Sequence, residues 1–384
     1  MHQIDNLKNT VLNLEKWVSI RDYMGYDPYD GLRSKIFNFI PLYGKYSRIA
    51  WTQFFKVCPV NLRHIFLIPK GKNPKGMGLF LSSYVNLYKA TSNRDWIYKA
   101  QIIGDWLEKN RSKNITEYCW GYNFDWQSRA FFLPEGTPTI VNTSFIGHAF
   151  LDLFEITNNN RWLEIVGSSC QFILNNLNRY ETKKYLCFSY TPIDQTKIHN
   201  ASILGVSLLA RYSKIKNDSQ HINLINKATN YLVDHQLDNG AWYYAETDYQ
   251  KWVDSFHTGF NLYALRHIND FINSSSLSKV IELGDRFYMN NFFLYDGTPK
   301  YYHDKLYPWD IHSSAMALAY FSSQKNNDNR LTESIFTWMS ENMKDDSGYF
   351  YFRKTKIIKN KIPYMRWGQS WAMYGLSKYY LCKQ

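Results

Sequence analysis

The chain has 384 residues, 45% of them apolar, and a formal charge of +12 from 45 Lys and Arg against 33 Asp and Glu. That apolar share fills a large core and excludes a disordered or collagen-like chain. The basic excess suits a polyanionic partner, such as an acidic polysaccharide or an anionic membrane surface, but no nucleic-acid motif accompanies it, and a solvated basic surface has the same composition.

In chain order, Asp5–Arg21 reads as a helix with Leu7, Val11, Leu14 and Val18 on one face. A turn-rich loop, Asp22–Gly31, follows, then a helical stretch at Lys45–Lys56 and an irregular basic stretch at Pro59–Gly76. Residues 22–75 thus read as a rim loop and helix region within one domain spanning 1–384. From there, small residues sit beside aromatics at helical spacing in six similar segments: Gly76–Lys89, Asn142–Thr157, Asn200–Ser213, His257–Asn269, His312–Gln324 and Arg366–Leu381. Anchored on Gly78, Gly147, Gly205, Gly259, Ser314 and Gly368, they recur at steps of 69, 58, 54, 55 and 54 residues. A step this regular marks one supersecondary unit copied several times.

Five of these segments precede a second amphipathic helix, at Asn93–Asn110, Asn160–Leu177, Ser219–Gln236, Ser276–Asn291 and Asp328–Met343. Asp5–Arg21 supplies the sixth partner. The pattern predicts an all-α fold, an (α/α)6 toroid of six hairpins in two helical layers around a funnel. Short β-hairpins or extended segments join the pairs at Tyr118–Arg129, Tyr185–Thr191, Gly240–Trp252, Gly297–Trp309 and Gly348–Trp367. Each leads into an inner helix, so all gather on the rim where inner-helix N-termini point.

There are five cysteines and no CxxC pair. The odd number suits a reduced, cytoplasmic protein. The first residues, Met-His-Gln-Ile-Asp, show no leader-like apolar stretch. No apolar run approaches the roughly 20 residues of a membrane span.

The rim carries the candidate chemistry. Asp254 precedes His257, and Asp310 precedes His312, at the starts of two inner helices. Aspartate is a favoured helix cap, which accounts for the acids alone but not for the adjacent histidines and tryptophans. Together with Asp125, these residues form a candidate acid–base set: paired carboxylates serve glycosidic cleavage, and a near-neutral imidazole moves a proton at a sugar carbon. His199 sits near the same register one repeat earlier and is expected near the funnel axis. Trp120, Tyr122, Trp126, Trp309 and Trp367 are expected to stack on sugar rings, and Arg366 to hold a carboxylate or phosphate. Glu135 and Glu246 read as solvated rim acids, and Asp27 and Asp30 as formers of local turns. HExxH, GxGxxG, P-loop and GxSxG motifs are missing, and no Cys/His spacing suits zinc, so no metal or other cofactor is expected.

The strings Cys-Trp-Gly-Tyr-Asn-Phe-Asp-Trp (119–126), Asp-Ser-Phe-His-Thr-Gly-Phe (254–260), Trp-Asp-Ile-His (309–312), Arg-Trp-Gly-Gln-Ser-Trp (366–371) and Gly-Tyr-Asp-Pro-Tyr-Asp-Gly-Leu (25–32) resemble the VpsJ-like proteins of bacterial polysaccharide biosynthesis. The resemblance covers most of the chain. It implies an (α/α)6 toroid in a surface- or capsular-polysaccharide context and supplies no reaction. The fold is also similar to that of toroidal glycosidases, polysaccharide lyases and N-acylglucosamine 2-epimerases. Terpene and lanthionine cyclases match less well, because their acid and metal motifs are missing.

Two readings follow. One is a carbohydrate-active enzyme working on a glycan or saccharide precursor by acid–base chemistry, as a hydrolase, lyase or epimerase. The other is a non-catalytic glycan-binding or scaffold protein of a polysaccharide assembly complex, with its basic surface toward a membrane or an acidic chain.

Overall fold

A computed structural model describes residues 2–37, 44–324 and 329–384. Among these residues are thirteen α-helices: α1 (His2–Ser19), α2 (Lys45–Val57), α3 (Pro74–Thr91), α4 (Arg94–Lys109), α5 (Ile140–Thr157), α6 (Asn160–Asn175), α7 (His199–Lys216), α8 (Ile222–Asp234), α9 (Ser255–Ile272), α10 (Ser275–Phe292), α11 (Ile311–Phe321), α12 (Asn329–Asn342) and α13 (Ser370–Cys382). Helices α3, α5, α7, α9, α11 and α13 pack side by side in that order, and α13 returns to α3 to close the ring. Helices α4, α6, α8, α10 and α12 back the first five, and α1 packs behind α13. The expected (α/α)6 toroid is therefore the observed fold, with the sixth outer helix supplied by the N-terminus.

The two layers differ in sequence because they differ in burial. An inner helix is covered on every side, so it stays apolar or small all round; an outer helix shows water one face and carries a single apolar stripe. The repeat-anchoring glycines lie where inner helices come closest. A Cβ on Gly147 would stand 2.5 Å from the Leu208 side chain of α7. Helix ends repeat as well. Helices α3, α5, α7 and α9 all finish on a left-handed residue, Ser92, Asn158, Asn217 and Asn273 respectively. Asparagine tolerates that conformation, so the same tight turn into the outer helix recurs.

Each expected inner helix begins within two residues of its predicted start, except that the last opens with one turn of π-helix at Met365–Gln369. The expected start of the fifth outer helix, Asp328, lies outside the described residues, as do positions 38–43 of the 22–75 region. Hairpins form at Trp126–Gln127 with Phe132–Leu133 and at Arg179–Glu181 with Leu186–Phe188. Trp309–Asp310, Arg353–Lys354 and Lys359–Asn360 form a three-stranded antiparallel sheet. The segments after α8 and α10 are built of turns and isolated bridges, such as Ile198 to Ala245 and Asp254 to Tyr302, with a 3-10 turn at Asp248–Gln250 in the first. All five cysteines are unpaired, and no helix among the described residues is long and apolar enough to cross a membrane.

Gly297 turns the chain after α10 at φ +84°, and a Cβ there would lie 2.3 Å from the Ser334 backbone of α12. Gly136 has a similar φ of +78° with nothing within 4 Å. Gly136→Ala should cost only the left-handed penalty, about 1–2 kcal/mol. Gly297→Ala should cost clearly more, because backbone must move. Thermal unfolding of both variants checks this; equal losses would contradict the packing of that turn on α12.

Candidate functional site

The first turns of all six inner helices meet around one cavity of about 780 Å³. Lys75 comes from α3, Val141 from α5, Asn200 from α7, His257 from α9, His312 from α11, and Arg366 and Trp367 from the π-turn before α13. The rim segments add an aromatic wall that includes Trp126, Tyr190, Tyr244, Trp252 and Tyr301. Tyr29 of the N-terminal loop reaches in above, edge-on to Trp126 and Trp367.

Asp254 is the centre of the floor. It caps α9, where its Oδ1 accepts the His257 backbone N–H at 3.0 Å. Its Oδ2 accepts Trp252 Nε1–H at 2.9 Å and meets His257 Nδ1 at 2.6 Å. An ionised carboxylate can only accept, so Nδ1 carries the proton and Nε2 is the ring atom left to face the cavity. No protein group among the described residues hydrogen-bonds that Nε2, and the side chain stays 22% exposed to the cavity. The ring is held between Tyr244 and Phe256, at 4.7 and 4.2 Å between centroids. Capping and orientation of the imidazole are thus both done by one carboxylate.

Asp310 occupies the equivalent cap on α11, with its Oδ1 accepting from the His312 N–H and from Trp367 Nε1, both at 3.0 Å. Its Oδ2, however, takes both Nε and an Nη of Arg353, at 2.9 and 2.7 Å. The carboxylate is fully buried and does not line the cavity. His312 does line it, stacked between Phe256 and Trp371 at 4.5 Å from each. Neither of its ring nitrogens has a hydrogen-bond partner. Burial first, then the charges of Lys75 and Arg366, hold its pKa well below the ordinary imidazole range, so it is neutral.

Two cations complete the floor. Arg366 is buried, and its guanidinium makes a bidentate pair with Asp27 of the N-terminal loop, at 2.6 and 2.8 Å. Lys75 makes no ion pair with a carboxylate among the described residues; its Nζ lies over the rings of Phe145, Phe260 and Trp371, 4.5 to 5.4 Å from their centroids. Burial first, then Arg366, pushes its pKa well below the ordinary lysine value. The sequence reading missed Lys75, Tyr190, Tyr244 and Trp252. A lysine in the first turn of an otherwise apolar inner helix, after the Asn73-Pro74 cap, was the available signal for the first.

Other expected site residues lie elsewhere. Tyr122, Trp126, Arg366, Trp367, Asp254, His257 and His312 line the cavity, whereas Asp125, Trp120, His199, Trp309 and Asp310 do not. Asp125 accepts the Glu135 N–H at 2.6 Å within its own turn. Trp120 is a core residue whose Nε1 donates to the Leu107 carbonyl at 2.8 Å. Trp309 stacks on Tyr307 and meets Trp338 edge-on. His199 differs by register: it is the first residue of α7, whereas Asn200 is the one that lines the cavity. One residue turns a helix by about 100°, enough to aim His199 at the outer layer instead.

No family model matches this sequence, and no curated protein does either. Solved structures do. The chain is similar to the cellobiose 2-epimerase of Bacillus thermoamylovorans at 12% identity and TM-score 0.62, over 82% of this chain and 88% of that one. It is similar to a GH76 α-mannanase of Bacteroides thetaiotaomicron at 13% identity and TM-score 0.61, over 80% and 86%. It is similar to an unsaturated glucuronyl hydrolase specific for heparin at 12% identity and TM-score 0.62, over 98% and 96%. At these identities the likeness is one of fold.

His148, His267 and His312 are all held below the ordinary imidazole pKa, chiefly by burial, and His267 is held down to about 3. In the unfolded chain they take up protons near pH 6.5, whereas in the folded chain they resist. Their contribution to stability is therefore complete above about pH 6.5 and declines as the pH falls toward 3, by up to about 1.4 kcal/mol per unit for each ring. A Tm series on the acid side should fall steadily from neutrality; a Tm that rises on acidification would contradict the placement of these rings.

Proposed function

We propose that the protein is a carbohydrate-active enzyme that moves a proton at a sugar carbon, as an epimerase or a lyase does, on an acidic saccharide. The observation that carries this is His257: Asp254 fixes its tautomer and turns a free Nε2 into an aromatic-walled cavity. An imidazole so oriented is a general base at neutral pH. His312 is a second, neutral imidazole facing the same cavity and packed against the same Phe256 and Phe260 rings. With a sugar in the cavity, His257 Nε2 can take a proton from a carbon and, as the imidazolium so formed, return it to the sugar carbon or to a leaving oxygen, while neutral His312 hydrogen-bonds the saccharide.

Paired-carboxylate hydrolysis is supported less well. The acids lining the cavity are Asp254 and Asp304. Asp254 is committed to His257 and Trp252, and Asp304 is exposed at the rim. A glycosidase needs two free carboxyls facing one bond, about 5 to 9.5 Å apart. The aromatic wall suits the C–H faces of sugar rings, and Lys75, lacking an acid of its own, suits a uronate or phosphate. The neighbouring folds are those of a sugar epimerase, a mannanase and a glucuronyl hydrolase, which supports a saccharide in the funnel. The VpsJ-like motifs support a role in surface or capsular polysaccharide biosynthesis, in the cytoplasm and near a polysaccharide-assembly complex at the membrane. Trp126 and Trp367 are the sugar-stacking residues of this proposal, and Arg366 acts with Lys75 on the anion.

Incubation with uronate oligosaccharides and nucleotide sugars in D2O tests the reaction. Wild-type protein should either place deuterium at a sugar carbon, by epimerisation, or release an unsaturated uronate, by elimination, both read by mass spectrometry. His257→Ala should slow this by about 100- to 10,000-fold, and Asp254→Asn should slow it as well, because the amide no longer fixes the productive tautomer. Turnover to saturated products without carbon-bound deuterium would favour hydrolysis, and binding without any product would favour a glycan-binding role.

A further inference from the structure

Behind the cavity wall, three side chains that are far apart in sequence converge on a point the acid–base site does not use. His199 opens α7, His235 follows the last residue of α8, and Glu246 lies in the rim segment between α8 and α9. One ligand-type atom from each lies within 4.8 Å of the others. The two imidazoles are oriented in the same way. His199 Nδ1 meets the Tyr243 carbonyl at 2.8 Å, and His235 Nδ1 meets the Tyr231 carbonyl at 2.6 Å. A carbonyl can only accept, so both Nδ1 atoms carry the proton and each Nε2 is left as the ring atom available to a ligand. His199 Nε2 is buried and has no hydrogen-bond partner among the described residues. His235 Nε2 faces a Glu246 oxygen at 3.3 Å, a contact that a proton on the ring or a metal ion would bridge.

A buried, unpartnered ring nitrogen beside a second imidazole and a carboxylate is an arrangement that a cation would complete. Histidines that give Nδ1–H to a backbone carbonyl and turn Nε2 inward have the usual orientation of metal-bound histidines. We propose that His199, His235 and Glu246 bind a divalent first-row transition ion, of which Zn2+ best suits two imidazoles and one carboxylate. Ligand atoms about 2.0–2.2 Å from a tetrahedral ion stand ~3.4 Å apart, so the His235–Glu246 pair already has the spacing and the remaining atoms close in modestly. The other Glu246 oxygen pairs with Lys197 at 2.6 Å, and Tyr231 hydrogen-bonds the oxygen that faces His235. The carboxylate would bind the ion through that latter oxygen and keep the lysine on the other. His235 and Glu246 are half-exposed, which leaves an entry path from the outer face.

The consequence is mechanical. Glu246 belongs to the same segment as Tyr244 and Trp252, which stack on each other at 4.5 Å and contact His257 and Asp254 respectively. An ion joining Glu246 to α7 and to the end of α8 would fix that segment against the ring. The sequence reading expected no metal because no ligand spacing was visible. These three residues meet only through the fold.

The test uses the untagged full chain, freed of metal by a chelator and titrated with Zn2+. The expected result is one ion per chain after dialysis, a raised Tm on loading, and binding at least about tenfold weaker in His235→Ala and in the near-isosteric Glu246→Gln. Wild-type protein that retains no zinc, or two variants that both bind it as tightly as wild type, would overturn the proposal. Metal content and Tm are read without any substrate, so this outcome is separate from the outcome for the saccharide reaction.

Discussion

The buried pairing of Arg366 with Asp27 holds the site together. It joins the last inner helix to the loop that follows the first outer one, at the seam where the ring closes. A second buried pair lies alongside it: Arg63 Nε meets Asp30 at 2.6 Å, and its other nitrogens meet the Asp27 carbonyl and the Tyr364 hydroxyl. The two aspartates are linked in turn, with Asp27 N–H donating to Asp30 Oδ2 at 2.8 Å. Removing one member of such a buried pair costs about 3–5 kcal/mol, because the survivor is left charged in a dry site. The loop it pins is the one that places Tyr29 over the cavity. Closure of the fold and roofing of the site are therefore one event.

The same arrangement sets the electrostatics below. Asp27 is taken up by Arg366, so Lys75 has no acid of its own, and both it and His312 are pushed toward their neutral forms. A floor made of a desolvated amine, a neutral imidazole and a carboxylate-fixed imidazole is short of negative charge. A bound anion would supply it. That is the physical reason to expect an acidic saccharide, and it is a local matter, distinct from the overall charge of +12. A diffuse basic surface speeds the arrival of polyanions, whereas one lysine deprived of its partner selects among them.

The helical architecture was legible because it repeats: six segments anchored on a small residue recur, each with an amphipathic partner. Fixing the α9 and α11 starts within two residues also found His257 and His312. What the chain alone could not separate were the two aspartates. Asp254 and Asp310 each cap an inner helix just ahead of a histidine, yet Asp310 is claimed by Arg353, 43 residues away on a strand paired with its own. Such long-range claims leave no local trace. Trp120 and Trp309 were indistinguishable from Trp126 for the same reason, since a tryptophan wall and a tryptophan core have the same composition. His199 was placed near the axis because its register was read to the nearest turn, and a helix face is decided by single residues.

The central claim is that this cavity takes an acidic saccharide whose anion meets Lys75. The most direct measurement is the affinity of a uronate oligosaccharide against a neutral one of equal length, by calorimetry, for wild type and Lys75→Met. The account predicts that the uronate binds wild type at least about tenfold more tightly, a difference of roughly 1.4 kcal/mol, and that this preference disappears in the variant. Equal affinities in the wild type, or a preference that survives in Lys75→Met, would contradict it.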